Sequence, residues 1–516
     1  MSPEQLLKLR RVINENLRVQ RGGADPIPYI DVTNAVGDVI SRQNHAVFGR
    51  RGCGKSLLLH HSSRNLPENI KAVYLNCEDF KKHSYPNVLI EILDALFAEL
   101  ESHLTGWFGR KKRSRELIKS IRGELVRLRE KADEQEREIR EATSKQTGKN
   151  SGVAAGAERG PFNANFEKSI NRQWNEETEQ KYRVSHNKIQ QLDKILPQLK
   201  RQIREFFETS TTVNSVFLQI DDFYHLNRSD QPLVMDYIHR LCKDLSLYFK
   251  VATLRHATIL YADRDGQPLG AQERHDYQPV NVDFDFSNLR RTQDQNRRIF
   301  HEFGRLASIT NDDVDGLFKG EGFERLILAG GGVPRDCLSL FLELLHQVQP
   351  PASDGRIGKD DVRILSRANF ERRIEELKQD SDSREQGVLI QGIYVLRKFC
   401  IDKQTNIILV PEQLLQQDDR IRELLYRLLD YRILHTAGSA MTHKSHDGTY
   451  HAFVIDVGCY AHMRKLQGKF VEIDLGQTNS KEKMRSGPIL DEKTFTNLWQ
   501  SAPEDPEAEL LADDGE

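Results

Sequence analysis

The sequence lacks the features that mark disulfide-rich, zinc-binding or membrane-spanning chains. It contains no Cys-x-x-Cys pair, and its cysteines are scattered along the chain at Cys53, Cys77, Cys242, Cys337, Cys400 and Cys459. This spacing argues against a zinc knuckle or a disulfide framework and favours a reducing compartment. No apolar run approaches the ~20 residues that a membrane helix needs, and the first residues alternate charged and apolar positions, unlike a signal peptide. We therefore expect a cytoplasmic protein with no membrane contact.

The sequence also lacks a strong excess of either charge. The formal net charge is -2, while 38% of the 516 residues are hydrophobic and 29% are charged. Such values describe a globular chain of several domains with many solvated helices. Because the overall charge is close to zero, an interaction with nucleic acid has to be argued from local groups of basic residues.

One segment carries a phosphate-binding pattern. GRRGCGKS, from Gly49 to Ser56, satisfies G-x-x-x-x-G-K-[ST] and lies between a short apolar run and an apolar helix, as that pattern requires. The glycines let backbone N–H groups turn toward phosphates, Lys55 can reach the β and γ phosphates, and Ser56 can ligate Mg²⁺. We predict that ATP and Mg²⁺ bind here. The predicted nucleotide contacts in this segment are Gly49, Arg50, Arg51, Gly52, Cys53, Gly54, Lys55, Ser56 and Leu57.

Two adjacent carboxylates follow the strongly apolar segment Val216–Ile220, which its pattern predicts to be a buried strand. Open α/β sheets bind ligands at the carboxyl ends of their strands, where Asp221 and Asp222 would lie. We expect Asp221 to hold the hydration shell of Mg²⁺ and Asp222 to orient or deprotonate the attacking water. Aspartate is shorter than the glutamate that is commoner here in hydrolytic proteins, so hydrolysis should be slow. A strand that ends in a capping aspartate is the structural alternative.

The spacing of apolar residues divides the N-terminal half into an α/β core and an insertion. An N-terminal helix and the first part of the core are predicted over residues 1–100, and the core resumes over residues 213–285. Between them, residues 101–212 carry dense charge and two series of leucine and isoleucine at helical spacing. This pattern predicts an inserted, charged helical hairpin of the coiled-coil kind.

Helices dominate the C-terminal half. Residues 286–380 are predicted to form a helical unit, and residues 381–475 to form helices closed by a β-hairpin, which describes a winged helix. The end of the chain, SAPEDPEAELLADDGE, is acidic and lacks aromatic residues. We therefore expect the tail, residues 476–516, to be mostly disordered.

Four segments together resemble the AAA+ ATPases of the origin-recognition-complex and replication-initiator type. They are the phosphate-binding segment, the strand that precedes the two aspartates, the strand ending VATLRH, and GGVPRDCLSL over Gly331–Leu340. The resemblance implies an α/β P-loop NTPase (AAA+) core with an inserted helical coiled-coil hairpin, an α-helical lid and a C-terminal winged-helix domain. It also implies that Arg335 is the sensor 2 residue touching the γ phosphate, and that Thr253 or Arg255 lies in the sensor 1 region.

Several basic residues have more than one interpretation. An arginine finger that reaches a neighbouring subunit could be any of Arg255, Arg290, Arg291, Arg297 and Arg298. Candidate DNA contacts in the predicted winged helix are His443, Lys444, His446, Arg420, Arg422, Arg427 and Arg432. Acidic residues interleave with these arginines, so a solvated helix packed against the lid is the alternative. The insertion begins with the basic run GRKKRSR, which could contact DNA, or its salt-bridged faces could form an arm for a protein partner.

These features predict an ATP- and Mg²⁺-binding ATPase whose nucleotide state controls assembly and DNA engagement through the winged helix. Lys55, Asp222 and Arg335 are the predicted catalytic residues, and Ser56 and Asp221 the predicted metal ligands. The implied partners are double-stranded DNA and further copies of the chain. One alternative is an ATP-switched scaffold or signalling module that recruits an effector, for example in bacterial defence, with slow, DNA-independent hydrolysis. The other is a motor that remodels DNA, which would need DNA-stimulated hydrolysis.

Overall fold

The computed structural model describes most of the chain. The described residues are 2–17, 28–80, 83, 85–104, 112–129, 188–264, 266–347, 355–381, 383–461, 463, 469–473, 475–477 and 479–512. The tip of the predicted hairpin, residues 130–187, lies outside them. Among the helices that are described, none is both long and apolar enough to cross a membrane.

A parallel five-stranded sheet forms the centre of the N-terminal half. Its strands in chain order are β1 (His45–Phe48), β2 (Ile70–Asn76), β3 (Ser215–Asp221), β4 (Leu247–Thr253) and β7 (Gln278–Asn281), with the antiparallel hairpin of β5 (Tyr261–Arg264) and β6 (Gln267–Gly270) before the last. The order across the sheet is β2-β3-β4-β1-β7. Every residue of β3 is buried, as its near-continuous apolar run leads one to expect for a central parallel strand.

Parallel pairing brings the carboxyl ends of the strands to one edge of the sheet. Gly49 follows β1 at this edge, and Asp222 follows β3. The sheet therefore places the phosphate-binding pattern and the two aspartates on the same side of the molecule, with only β4 between their strands.

Helices precede the sheet and connect its strands. In chain order they are α1 (Pro3–Asn16), α2 (Ala35–Val39), α3 (Lys55–Arg64), α4 (Asn87–Ser102), α5 (residues 112–129), α6 (residues 188–209) and α7 (Gln231–Cys242). Helix α1 starts with a capping box in which the Ser2 hydroxyl accepts from the backbone N–H of Gln5. Its buried residues Leu9 and Ile13 pack in the core of the helical unit that follows the sheet, so α1 belongs to that unit although it precedes the sheet in the sequence.

The described base of the insertion belongs to the α/β core. Leu125 on α5, Leu199 on α6 and Leu93 on α4 lie in one buried cluster, which also contains residues of β3. Arg122 on α5 pairs with Asp94 on α4 at 2.8 Å. Two helices therefore form the described base of the insertion and pack on the α/β core, while the coiled-coil hairpin stays a prediction, since its tip lies outside the described residues. Leucines at helical spacing indicate an apolar stripe, but only the packing decides which surface that stripe meets.

The described part of residues 286–380, which is the segment predicted to be a lid and is called the lid below, contains five helices. They are α8 (Leu289–Leu306), α9 (Asn311–Asp315), α10 (Gly322–Ala329), α11 (Pro334–Gln347) and α12 (Lys359–Asp380). Aromatic rings join α8, α10 and α11, since Phe300 packs edge-on against both Phe323 and Phe341. Helix α12 leads out of this unit toward the C-terminal part of the chain.

The remaining chain, residues 383–512, forms what we term the C-terminal unit. It contains α13 (Ser383–Asp402), β8 (Ile407–Pro411), α14 (Glu412–Gln417), α15 (Asp419–Asp430), β9 (Leu434–Thr442) and β10 (Thr449–Ile455). Its three strands form an antiparallel sheet in the order β8-β10-β9. The apolar faces of α13 and α15 are buried with residues of β8 and β10 in a single core.

The acidic tail is folded where it is described, contrary to the prediction of disorder. It forms α16 (Ser480–Met484), α17 (Glu492–Gln500) and α18 (Pro506–Leu511). Phe495 and Leu510 are buried in the core that includes α13. Asp491 and Asp505 cap α17 and α18 by accepting from the backbone N–H groups of Thr494 and Ala508. A few apolar residues therefore anchor a segment whose composition alone indicates disorder, and part of its acidity serves helix capping.

Replacing Leu125 by alanine tests whether the insertion supports the α/β core. We expect the free energy of unfolding to fall by ~2–5 kcal/mol, because a fully buried leucine leaves a cavity when it is truncated. Urea denaturation followed by far-UV circular dichroism measures the change. Glu124→Ala, at an exposed position of the same helix, is the control and should alter stability by less than ~0.5 kcal/mol. An unchanged unfolding midpoint for Leu125→Ala would show that α5 packs independently of the core.

Candidate functional site

The loop between β1 and α3 turns tightly into the helix. Gly52 and Gly54 have φ angles of 93° and 89°, a left-handed region that costs residues with a Cβ ~1–2 kcal/mol. The helix begins at Lys55, whose buried ammonium group donates to the carbonyl oxygens of Gly49 and Arg50 at 2.8 and 3.2 Å. A phosphate bound at this loop would compete with these two carbonyls for Lys55.

A cavity of about 1200 Å³ lies in front of the loop. Residues 51–57 of the predicted phosphate-binding segment line it, whereas Gly49 does not. The lid contributes Arg335 to the wall, and the C-terminal unit contributes Arg432. The cavity therefore lies between the loop, the lid and the C-terminal unit, and all three form its walls.

The two aspartates after β3 have different surroundings. Asp221 is fully buried, accepts from the Tyr74 hydroxyl at 2.7 Å and from the backbone N–H of Asp222 at 2.9 Å, and does not line the cavity. Asp222 does line it and has a left-handed backbone, with a φ angle of 51°. Burial, followed by the neighbouring charge of Asp221, raises the pKa of Asp222 to about 6. Asp222 is thus the carboxylate of this pair that meets the cavity directly.

The end of β2 supplies polar side chains that the sequence patterns did not predict. Asn76 Nδ2 donates to Asp222 Oδ2 at 3.5 Å, and both Asn76 and Glu78 line the cavity. Ligand atoms of Glu78, Asp222 and His225 lie within 4.8 Å of one another. Carboxylate oxygens at a cavity wall suit Mg²⁺, which binds through one or two carboxylates and keeps several waters. Polar residues directly after an apolar strand next to β3 were the signal that could have identified them.

Arg335 lies against the phosphate-binding loop at the start of α11. Its backbone N–H donates to Gly52 O at 3.4 Å, and a Cβ added to Gly52 would come within 2.9 Å of Arg335 Cβ. Pro334 precedes it at the first helical position, where a missing N–H is tolerated. Within the described part of the chain, the Arg335 guanidinium makes no hydrogen bond or ion pair. The guanidinium therefore has unused donors toward the cavity, and burial lowers the pKa of this arginine.

The Arg50 side chain does not line the cavity, and a nucleotide contact through this side chain is not supported. Its Nε and Nη2 donate to the two carboxylate oxygens of Asp283 at 2.6 and 2.8 Å. Nη2 also donates to Phe284 O at 3.0 Å, and Nη1 donates to Gly331 O at 2.9 Å and to His435 Nδ1 at 3.2 Å. All five N–H groups of the guanidinium are used, so none remains for a phosphate.

The predicted sensor 1 residues also lie outside the cavity lining. Thr253 is buried at the end of β4, and its hydroxyl lies 2.5 Å from the hydroxyl of Thr258. Arg255 pairs with Glu273 at 2.8 Å, and its guanidinium lies 4.3 Å from the centre of the Phe48 ring. The structure therefore gives both side chains partners within the α/β core, and a direct nucleotide contact by Thr253 is not supported.

The other arginine-finger alternatives lie on α8, and none of them lines the cavity. Arg297 pairs with Asp315 at 2.7 Å, and Arg291 covers the Phe284 ring at 4.6 Å. Only a second copy of the chain would supply the site that such a finger enters. The choice among these residues, which also include Arg290 and Arg298, stays a prediction.

The C-terminal unit reaches the phosphate-binding loop through two side chains. Arg432, with a left-handed φ angle of 64°, donates from Nη1 to Arg51 O at 3.3 Å. His435 accepts from Arg50 at Nδ1, and because arginine has no acceptor, the His435 proton must lie on Nε2, 3.0 Å from Asp456 Oδ2. Burial lowers the pKa of His435 to about 4, which keeps the ring neutral. These long-range contacts left no local pattern in the sequence.

The parallel sheet, its helical layers and the glycine-rich loop between β1 and α3 define an α/β P-loop fold. No protein-family model and no curated protein matches the chain. Among solved structures, a Walker-type ATPase from Pyrococcus abyssi matches with a TM-score of 0.33 and 11% sequence identity, covering 88% of this chain and 93% of that one. A structural similarity this low gives no information about the residues or the ligand of the site.

The close approach of Gly52 to the lid can be tested by Gly52→Ala. We expect a lower melting temperature, because the new methyl group would clash with Val333 and Arg335 and the left-handed backbone would be strained. Differential scanning fluorimetry provides the measurement. Gly123→Ala is the matched control: its Cβ meets nothing within 4 Å, and alanine in a helix should stabilise slightly. Equal melting temperatures for the two variants would contradict the described contact between loop and lid.

Proposed function

We propose that the protein is a slow ATPase that binds ATP with Mg²⁺ in the cavity at the phosphate-binding loop. The observation that carries this proposal is the meeting of residues 51–57, Asp222 and the unpartnered guanidinium of Arg335 at one cavity. The N–H groups at the start of α3, together with Lys55, would bind the β and γ phosphates. Arg335 would contact the γ phosphate and stabilise the charge that develops there during hydrolysis.

An apolar part of the cavity wall suits the nucleobase. Leu17 and Tyr29 contribute to it from the N-terminal region, and Phe303 and Leu338 contribute from the helical unit. The Tyr29 ring would lie 3.5 Å from a Cβ at Gly54, so this apolar wall adjoins the phosphate-binding loop. Aromatic and aliphatic side chains beside a polar phosphate site form the usual arrangement for a nucleotide-sized ligand. We infer that the base lies between α1 and the lid.

Mg²⁺, when bound, would neutralise charge on the phosphates during transfer to water. Ser56, the second residue of α3, offers a hydroxyl, and the cavity-lining carboxylates of Asp222 and Glu78 offer oxygen ligands or hold metal-bound water. For Asp221 to reach the hydration shell, the Tyr74 hydroxyl would have to release its carboxylate. Asp222 is the group placed to orient the attacking water, and its short side chain supports slow turnover.

We infer further that the nucleotide acts as a switch on the C-terminal unit. The lid and this unit both form walls of the cavity, so a phosphate that draws Arg335 would also shift their contacts. The order helix, strand, helix, helix, strand, strand fits a winged helix, whose β9–β10 turn exposes Lys444 and His446 for contact with DNA phosphates. Nucleotide-controlled assembly and DNA engagement in the cytoplasm follow as the proposed role.

A second candidate function is supported by the position of α15. Asp430 accepts from the backbone N–H groups of His256 and Ala257 at 2.9 and 2.7 Å, and the Tyr426 ring lies 4.7 Å from that of His256. Glu423 on the same helix pairs with Arg228 of the α/β core. This helix, which the sequence suggests for DNA, is therefore packed against the core. An ATP-switched scaffold, in which release of α15 exposes a surface for a protein partner, is the alternative.

ATP binding and turnover with and without duplex DNA test the proposal. Lys55→Ala should abolish binding, whereas Asp222→Asn and Arg335→Ala should lower turnover by ~10²-fold or more, because each removes a group acting on the reacting phosphate or water. Arg11→Ala, an exposed arginine of α1 outside the cavity, is the control and should behave as wild type. Light scattering on the same samples reports the oligomeric state.

The outcomes separate the candidates. Hydrolysis that DNA stimulates and that Asp222→Asn abolishes supports the DNA-engaged ATPase. ATP-dependent assembly with no effect of DNA supports the scaffold. Wild-type protein that binds no ATP, or a Lys55→Ala variant that binds it as well as wild type, would overturn the proposed function.

A further inference from the structure

Arg335 lies beside two carboxylates and pairs with neither. Asp336 follows it on α11 and Glu376 lies on α12, and all three side chains line the same cavity. Burial raises the pKa of Glu376, whereas the charges of Arg432 and Arg335 lower it, and the net shift is downward. Both arginines therefore act on this carboxylate, yet among the described residues only Arg432 is in contact with it.

Arg432 forms ion pairs with both of these carboxylates. Its Nη1 lies 3.0 and 2.8 Å from the two carboxylate oxygens of Asp336, and its Nη2 pairs with Glu376. The side chain is 2% exposed, and Nη1 also donates to the carbonyl oxygen of Arg51 in the phosphate-binding loop. A residue of the C-terminal unit thus pairs with both carboxylates beside Arg335, and Arg373 Nη2 also lies 3.8 Å from a carboxylate oxygen of Asp336.

A chain of buried polar contacts fixes the backbone of Arg432. Its carbonyl oxygen accepts from Arg373 Nη1 at 2.8 Å. The Arg373 guanidinium also pairs with Asp456, which in turn accepts from His435 Nε2. Because Arg373, Asp456 and His435 are all buried, this arrangement gives Arg432 a fixed position whenever the C-terminal unit is docked.

Removing Arg432 would leave Asp336 and Glu376 without their shared cation. Both carboxylates are partly buried, and a partly buried carboxylate that loses its partner is destabilised, so the nearest available cation is recruited to it. Arg373 is held by Asp456 and by the carbonyl oxygen of Ala329, so the cation free to move is Arg335, which lines the same cavity and whose guanidinium has no partner among the described residues. A guanidinium paired with a carboxylate has fewer donors and less net charge to offer a phosphate.

We propose that Arg432 is a positioning residue that keeps Arg335 unpaired, and so available to the γ phosphate, by occupying Asp336 and Glu376. The inference rests on the proposed function, because the anion that Arg335 would meet is the third phosphate of ATP. It adds that the site distinguishes triphosphate from diphosphate only while the C-terminal unit is docked. Discrimination between ATP and ADP is then a property of the docked molecule and not of the α/β core alone.

Equilibrium binding of fluorescent ATP and ADP analogues to the full-length chain tests this inference. We expect Arg432→Ala to weaken ATP binding by roughly tenfold or more, the usual effect of losing one charge-assisted hydrogen bond. ADP binding should change by less than about threefold, because ADP has no γ phosphate for Arg335 to contact. Arg335→Ala should show the same pattern. The double variant should be no weaker than either single one, since both changes remove the same interaction.

A suppressor variant separates positioning from a merely structural role. Adding Asp336→Asn and Glu376→Gln to Arg432→Ala removes the carboxylates that would capture Arg335, so ATP affinity should recover toward wild type. Arg397→Ala is the matched control: Arg397 is a buried arginine of the same unit that donates to the carbonyls of Cys459 and Leu510, away from the cavity. It should lower the melting temperature without changing the ratio of ATP to ADP affinity.

A second substitution at Arg432 separates the loss of its side chain from misfolding of the variant. Arg432 has a left-handed backbone, so Arg432→Gly removes the side chain while relieving backbone strain, and it should give the same binding pattern as Arg432→Ala. A wild-type ratio of ATP to ADP affinity in Arg432→Gly, or no recovery in the suppressor variant, overturns the inference. If wild-type protein binds neither nucleotide, the proposed function itself fails, which is a different result from a changed ratio.

Discussion

Burial of the Arg50 guanidinium requires partners for all five of its N–H groups, and those partners come from three separate parts of the chain. Asp283 belongs to the segment after β7, Gly331 to the lid, and His435 to the C-terminal unit. A buried charge without partners costs several kcal/mol, so these three segments are held together at the phosphate-binding loop. The walls of the cavity depend on this arrangement, because the lid and the C-terminal unit both line it.

A second group of buried charges extends the same constraint into the C-terminal unit. Arg432 and Arg373 bring together Asp336 of the lid and Asp456 of that unit, and Arg432 also reaches the loop carbonyl of Arg51. Charges of both signs balance within this group, which lowers the cost of burying them. Any ligand that moves the loop or the lid must therefore also change the docking of the C-terminal unit, and docking must affect that ligand by the same free energy.

Sequence patterns were most reliable where a function depends on neighbouring residues. The phosphate-binding loop and the aspartates after β3 could be predicted because the required glycines, lysine and carboxylates stand at fixed short spacings. The prediction of a disordered tail failed because apolar residues of this acidic segment, among them Phe495 and Leu510, are buried in the core that includes α13. In the insertion, leucines at helical spacing predicted helices, but only the packing showed that Leu125 and Leu199 meet Leu93 of α4 as well as each other.

The sequence by itself determined the left-handed loop at Gly52 and Gly54, the lysine that begins α3 and the edge of the sheet at which both aspartates lie. Only the tertiary structure decided that Arg50 faces the C-terminal unit, that the Arg335 guanidinium has no partner among the described residues, and which side chains close the cavity. The reason is physical. Backbone conformation follows from local sterics, whereas the partner of a buried charge depends on which distant segments packing brings within hydrogen-bonding distance.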